Sequence, residues 1–291
     1  QGKGPFSAAI LVSGSGPQDR DSQILQHKPF KLLADHLTRL GYAVLRTDDR
    51  GTGKSGGNFY DADLTDFSYD IESAFNYLAS RKDINPQKIG LIGHSEGGIT
   101  APIFAARQSQ VAFVISLAGV GVPGNQLWAT QQKELGVAAG APDGDAIYKL
   151  QLEAANMAAQ GATFDSLKDL FNTIEGVNTA TVNTLAKMLS SKWGHSFMSY
   201  EPAQYWSKLN MPLLALNGEL DIQVNAKDNL ENLRKLINKT ENKDATITYL
   251  PQLNHLLQKA KTGNVNEYAQ ISETMNPAAL NAISNWLTKR F

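Results

Sequence analysis

Ile89-Gly90-Leu91-Ile92-Gly93-His94-Ser95-Glu96-Gly97-Gly98-Ile99 carries an apolar strand into a G-x-S-x-G turn and out again into a helix. Ile99, Ile103 and Ala106 continue that helix. A turn this sharp strains the backbone of its central residue and demands small neighbours, which Gly93 and Gly97 supply. The strain presents the Ser95 hydroxyl at the crest of a sheet. It also aims the backbone N–H of Glu96, at a helix N-terminus, toward any oxyanion that develops there. The bare pattern is common by chance; its place between a strand and a helix at mid-chain makes it a candidate nucleophile elbow.

On either side of this stretch, strands and helices alternate. Ala8–Val12 reads as a buried strand ending in the turn Ser13-Gly14-Ser15-Gly16-Pro17. Phe30, Leu33, Ala34, Leu37 and Leu40 recur at helical spacing, and Gly41 closes that helix. Tyr42–Arg46 is the next strand, and Phe67, Ile71, Ala74, Phe75 and Leu78 form the next helical stripe. Val111–Leu117 is a continuous apolar strand. Beyond a long interruption come strand Leu213–Asn217, a helix over Ala226–Ile237, strand Thr246–Leu250 and a last helix near Leu280–Leu287. Such alternation implies βαβ units, hence an α/β fold with a mostly parallel central sheet flanked by helices. Sites in such sheets form at the carboxyl ends of the strands.

The interruption, residues 120–206, contains helical stripes and no convincing strand: Ile147, Leu150, Ala154, Met157; Leu167, Leu170, Phe171, Ile174; Val182, Leu185, Met188, Leu189. It leaves and rejoins the sheet on the side of the strand ends. The expected organisation is a core of residues 1–119 and 207–291 with a helical cap, residues 120–206, over the site. A decorative subdomain is the alternative. Leu127, Trp128, Phe171, Met188, Trp193 and Phe197 are available to make an apolar acyl pocket.

A serine hydroxyl needs a base, and the base needs an orienting acid. His27 and His36 come too early, His94 adjoins the serine and should serve packing or a local hydrogen bond, and His195 could at most line a pocket. His255 lies in a loop between the last strand and the final helix, where a base belongs. Asp221, after strand Leu213–Asn217, is the candidate acid, with Glu219 as a rival closer to the strand end. The second oxyanion donor is expected from the loop after the first strand, as the amide of Ser15, or of Gly16 next to it.

Hydrophobic residues are 42% of the 291 and charged ones 19%, which fits a packed core. A net charge of −1 gives no electrostatic case for nucleic acid or an anionic membrane. No apolar run approaches the roughly 20 residues a membrane-spanning helix needs. The absence of cysteine excludes thiolate chemistry and disulfides, and suits an exported protein. The opening Gln1-Gly2-Lys3-Gly4-Pro5 does not look like a natural start, consistent with a removed leader; compartment and oligomeric state stay open.

Taken together, Ser13–Asp21 (SGSGPQDRD), Asp48–Ser55 (DDRGTGKS), Gly93–Gly98, Gly218–Val224 (GELDIQV) and Leu253-Asn254-His255 resemble α/β-hydrolases of the EstD-like carboxylesterase group. The likeness runs through nearly the whole chain, Tyr200-Glu201-Pro202 included. It implies the α/β-hydrolase fold, with Ser95 as nucleophile, Asp221 as acid and His255 as base, and no cofactor. Ser13 stands where many hydrolases carry histidine.

Gly51-Thr52-Gly53-Lys54-Ser55-Gly56 ends like a P-loop, yet Asp48 occupies the position of its first glycine. The segment also fits G-x-G-x-x-G, but Phe59-Tyr60-Asp61-Ala62-Asp63 follows where a dinucleotide site would start a helix. Asp48, Asp49 and Arg50 are expected to tie this turn by ion pairing, and Asp19-Arg20-Asp21 to form either a salt bridge or a substrate contact. No His/Asp/Glu cluster has metal-ligand spacing. The expected reaction is hydrolysis of a small-molecule ester through an acyl-enzyme on Ser95, with the Glu96 and Ser15 amides holding the oxyanion. Peptidase or amidase, thioesterase or acyltransferase chemistry with the same triad are alternatives, and a non-catalytic ligand-binding homologue is the rival of another class.

Overall fold

The computed structural model describes residues 3–174 and 177–291; Gln1 and Gly2 of the opening segment lie outside them. Strand β1 (Phe6–Val12), helix α1 (Pro29–Arg39), β2 (Ala43–Arg46), α2 (Leu64–Ser80), β3 (Ile84–His94), α3 (Gly97–Ala105) and β4 (Val114–Leu117) make the first half. Six helices follow without a strand among them: α4 (Gly124–Ala138), α5 (Gly144–Ala159), α6 (Phe164–Phe171), α7 (Thr179–Leu189), α8 (Lys192–Met198) and α9 (Ala203–Trp206). Then come β5 (Leu213–Gly218), α10 (Ala226–Ile237), β6 (Ala245–Leu250) and α11 (Pro277–Thr288).

The strands form one sheet in the order β2-β1-β3-β4-β5-β6, every neighbouring pair parallel. Successive strand residues point to opposite faces, so each strand feeds two cores. Ala8, Ile10, Leu91, Leu213 and Ala215 pack with α2, α3 and α10 on one face. Ala9, Leu11, Ile92, Leu214 and Leu216 pack with α1 and α11 on the other. That double burial is why these strands read as continuous apolar runs rather than alternating ones.

Several element ends differ from the sequence expectation: β1 begins at Phe6 rather than Ala8, and β2 at Ala43 rather than Tyr42. The regular ladder of β4 begins only at Val114, although Ala112 already donates its N–H to the Ile89 carbonyl at 2.8 Å. Strand β3 starts earlier, at Ile84, where Phe6 pairs with it ahead of a register shift between Phe6 and Ala8. Gly41 takes φ +92° after α1, and its N–H donates to Thr38 O at 3.1 Å, closing the helix without the penalty a Cβ would bring.

The inserted helices have their own apolar cluster. Ala154, Ala155, Ala158, Leu167, Phe171, Val182, Ala186 and Leu189 are buried there with Trp193 and Phe197. The same cluster takes in Phe59 and Leu64, from the start of α2 and the turn before it, and Ile99 and Ile103 of α3. Side-chain caps start several of these helices: Asp143 for α5, Asn178 for α7 and Ser191 for α8 each accept from an N-terminal amide.

Candidate active site

Strand β3 delivers Ser95 at φ +55°, a left-handed backbone that L-residues other than glycine rarely hold. The Ser95 N–H donates to Leu117 O of β4 at 3.0 Å, and Gly98 N–H closes the turn on Ser95 O at 2.9 Å. The two flanking glycines are steric necessities: a Cβ on Gly93 would land on the Gly97 carbonyl, and one on Gly97 would land on the Val12 carbonyl. The loop after β1 closes over the turn, so that a Cβ on Gly14 would stand 3.1 Å from Ser95 Cβ.

Asp221 follows β5 and is buried. Its Oδ1 accepts the backbone N–H groups of Gln223 and Val224, both at 2.8 Å. Its Oδ2 accepts Asn217 Nδ2 at 3.3 Å and lies 2.8 Å from His255 Nδ1. Three N–H groups and one ring nitrogen thus converge on one carboxyl. His255 is also buried, in the loop after β6, leaving its Nε2 as the ring atom away from Asp221. Glu219, the rival acid, instead accepts the Gln252 N–H at 2.9 Å.

Ser95, His255, Ser15, Gly14 and Glu96 line one cavity of about 420 Å³. Its far wall comes from the inserted helices through Leu127, Trp128, Met188, Trp193 and Phe197, and Gln131 adds a polar group. Phe171, expected from sequence as a candidate for this wall, is instead sealed inside the helical cluster. His195 is turned away from the cavity toward the Ala162 carbonyl at 3.1 Å. Among the described residues no group of three or more His, Asp or Glu side chains could hold a metal ion, and no helix is long and apolar enough to cross a membrane.

His94, beside the serine, makes a local hydrogen bond, its Nε2–H donating to the His255 carbonyl at 2.9 Å, and the two rings are 4.8 Å apart. Burial, reinforced by the neighbouring His255, pushes its pKa down to about 3, so the ring stays neutral and supports the His255 loop from below.

The sequence reading missed two carboxyls. Glu96 was expected to contribute only its backbone amide, yet its side chain is 2% exposed and accepts Trp193 Nε1 at 2.8 Å. Burial pushes this carboxyl up to about 7, against the pull of hydrogen bonds from Trp193 and Ser15. Asp49, expected to form an ion pair, accepts instead from the Ser13 hydroxyl at 2.6 Å and the Gln18 N–H at 2.9 Å. Burial pushes it up to about 6.

The neighbouring charges do pair, away from the cavity: Arg20 with Asp48 at 2.6 Å, Arg50 with Asp70 at 2.6 Å, and Arg46 with Asp21. Asp19 holds the turn by accepting from the Asp21 and Gln23 amides. Gly53 has φ +57° and abuts the Asp48 carboxyl, so the G-x-G-K-S segment is a salt-bridged turn.

The pattern of the family described as "Serine aminopeptidase, S33" matches residues 27–261. Esterase EstD of Thermotoga maritima is 24% identical over 99% of this chain and 64% of its own length, so the chain spans less than two thirds of that relative. Among solved structures, the monoacylglycerol lipase of Paleococcus ferrophilus superposes with a TM-score of 0.57 at 18% identity, over 99% of this chain and 97% of that one. The α/β hydrolase GrgF of Penicillium gives 0.60 at 15% identity, over 99% and 92%. At such identities the structural matches establish the fold.

Proposed function

The chain belongs to the α/β-hydrolase family described as serine aminopeptidase, S33, and from that premise we propose that it is a serine hydrolase cleaving uncharged esters of small to medium acyl chain. The observation that carries this reading is a strained Ser95 sharing one cavity with a His255 whose Nδ1 is held 2.8 Å from a buried, fully hydrogen-bonded Asp221.

In this mechanism the Ser95 oxygen attacks the ester carbonyl carbon as its proton passes to His255 Nε2. Asp221 holds the ring with Nδ1 protonated and stabilises the imidazolium. The backbone N–H groups of Glu96 and Ser15 receive the oxyanion, each such donor contributing roughly 100- to 1000-fold in rate. The tetrahedral adduct collapses, the alcohol leaves with the proton from His255, and an acyl-Ser95 ester remains. Water then attacks that ester with the same base, releasing the acid and restoring the serine. No cofactor enters the cycle.

Residues 120–206 act in this scheme as a cap, with Leu127, Trp128, Met188, Trp193 and Phe197 receiving the acyl chain. Charge selects the substrate class. Among the described residues no Lys or Arg lines the cavity, which disfavours acyl-CoA thioesters, and its only carboxyl, Glu96, is occupied by Trp193. EstD is named an esterase, which agrees. The family's description raises an aminopeptidase as the second reading; that chemistry needs a free carboxylate to receive the substrate's ammonium.

Hydrolysis of p-nitrophenyl esters from acetate to decanoate by wild type and Ser95→Ala tests the proposal. Turnover in the wild type that Ser95→Ala abolishes is expected, with the chain-length optimum sizing the cavity. Faster cleavage of aminoacyl anilides than of any ester would replace the reading with the peptidase one, and no reaction with a fluorophosphonate would end both.

A further inference from the structure

The loop that carries Ser15 packs on the elbow through Ser13 and Gly14. A second cavity of about 350 Å³ is lined by Ser13, Gly14, Asp49, Glu96 and Thr100 among others. Hydrogen bonds also position the loop. Asp49 accepts from the Ser13 hydroxyl and the Gln18 amide, and Gln18 Nε2 donates to Ser15 O at 3.1 Å. Glu96, whose carboxyl is buried, lines both that cavity and, with Gly14 and Ser15, the one that holds Ser95.

That same carboxyl reaches to the inserted helices. Its Oε2 accepts the indole N–H of Trp193 on α8, a residue 97 positions along the chain. Trp193 packs on Phe197 with ring centres 5.1 Å apart, and both line the cavity that holds Ser95. Glu96 itself sits one residue after Ser95 on the rigid elbow.

We propose that Glu96 is a positioning residue whose side chain ties the wall of the acyl cavity to the nucleophile elbow, so that filling the cavity and aligning the oxyanion donor on Glu96 itself are coupled. The proposal rests on the esterase reading of the site. A long acyl chain pressing on Trp193 and Phe197 bears, through one carboxyl, on the residue whose backbone amide is an oxyanion donor; an acetyl group is too short to press on either ring. The tether also titrates. Burial and the facing Asp49 carboxyl set Glu96 at about 7, while Ser15 and Trp193 face it as neutral donors. Lys192 of α8 is engaged by Asp63 and Asp66. Ionisation strengthens the Trp193 bond but brings a negative charge beside the developing oxyanion.

Steady-state kinetics on acetate and octanoate esters, with tryptophan fluorescence against pH, test this in wild type, Glu96→Ala, Glu96→Gln and Trp193→Phe. Glu96→Ala is expected to lower kcat/KM for octanoate by roughly 10- to 100-fold, as loss of a buried hydrogen-bond acceptor does, and for acetate by clearly less. Glu96→Gln, which still accepts from Trp193, should recover most of that loss. Wild-type fluorescence should change at about pH 7, and the change should vanish in Glu96→Gln and in Trp193→Phe. The double variant Glu96→Ala/Trp193→Phe should cost little more than either single one. Equal losses on both esters, or multiplicative effects in the double variant, would overturn the proposal. If Glu96→Ala fails to fold, Glu96→Gln and Trp193→Phe carry the test. A wild type without esterase turnover would defeat the functional reading, while the fluorescence titration would still decide whether the tether exists.

Discussion

Replacing Asp221 with asparagine should disable the site while leaving its shape intact, and the hydrogen bonds around the carboxyl say how. Oδ1 receives two backbone N–H groups, from Gln223 and Val224, which cannot turn away. Oδ2 faces two side chains that can adjust, Asn217 and His255. An asparagine therefore places its oxygen toward the two amides and its NH2 toward His255. The ring must then accept at Nδ1 and carry its proton on Nε2, where it faces Ser95 as a donor and can no longer act as base. Tautomer reversal of this kind lowers kcat roughly ten-thousandfold, about 5.5 kcal/mol of barrier, with KM little changed. The assay is kcat and KM on p-nitrophenyl butyrate together with the rate of fluorophosphonate labelling at Ser95, both of which should fall in step. Glu219→Gln is the control, since Glu219 accepts only from Gln252 and should keep activity within about threefold. A loss under tenfold in Asp221→Asn, or an equal loss in Glu219→Gln, would refute the assignment of the acid.

Gly97→Ala would drive a methyl group into the Val12 and Ser13 carbonyls, and should destabilise the fold by about 2–3 kcal/mol, lowering Tm by several degrees in thermal unfolding; an unchanged Tm would contradict it. Trp128 Nε1 donates to the buried Gln151 Oε1 at 2.8 Å, so Gln151→Leu should cost about 1–3 kcal/mol in denaturant unfolding by stranding that donor, and stability equal to wild type would mean the indole finds another acceptor. Glu96 is raised in the folded state, so the unfolded chain ionises first and stability is lost as pH rises from about 4 through about 7. His94, depressed by burial, acts with the opposite sign, losing stability as pH falls below about 6.5, so the clean measurement is a difference between variants. Glu96→Gln should match wild type near pH 4 and exceed it by about 3 kcal/mol at pH 8. A gap that does not widen with pH would show that Glu96 is not raised.

What could be read from the chain was what local sterics and chain order dictate. Buried parallel strands are apolar on both faces, so β1, β3 and β5 announce themselves; the elbow does so because only glycine fits at positions 93 and 97. Asp221 and His255 follow from standing after β5 and β6, where the parallel register brings strand ends together. Nothing comparable marks α8, whose seven residues are too short for a periodic stripe. Phe171 and Phe197 are equally apolar in sequence, yet one is sealed inside the helical cluster and the other faces the cavity, a choice made by how the helices pack on one another. Asp49 sits among arginines and suggests an ion pair, but Asp48 and Asp70 take Arg20 and Arg50, leaving Asp49 to the Ser13 hydroxyl. The bond from Glu96 to Trp193 joins residues that have no local reason to meet. On the proposed reading, the chemistry of the site lies in short motifs at strand ends, whereas its selectivity comes from long-range contacts between the elbow and the helices between β4 and β5. Substitutions in α4, α7 and α8 should therefore move acyl preference far more than they move the rate on acetate.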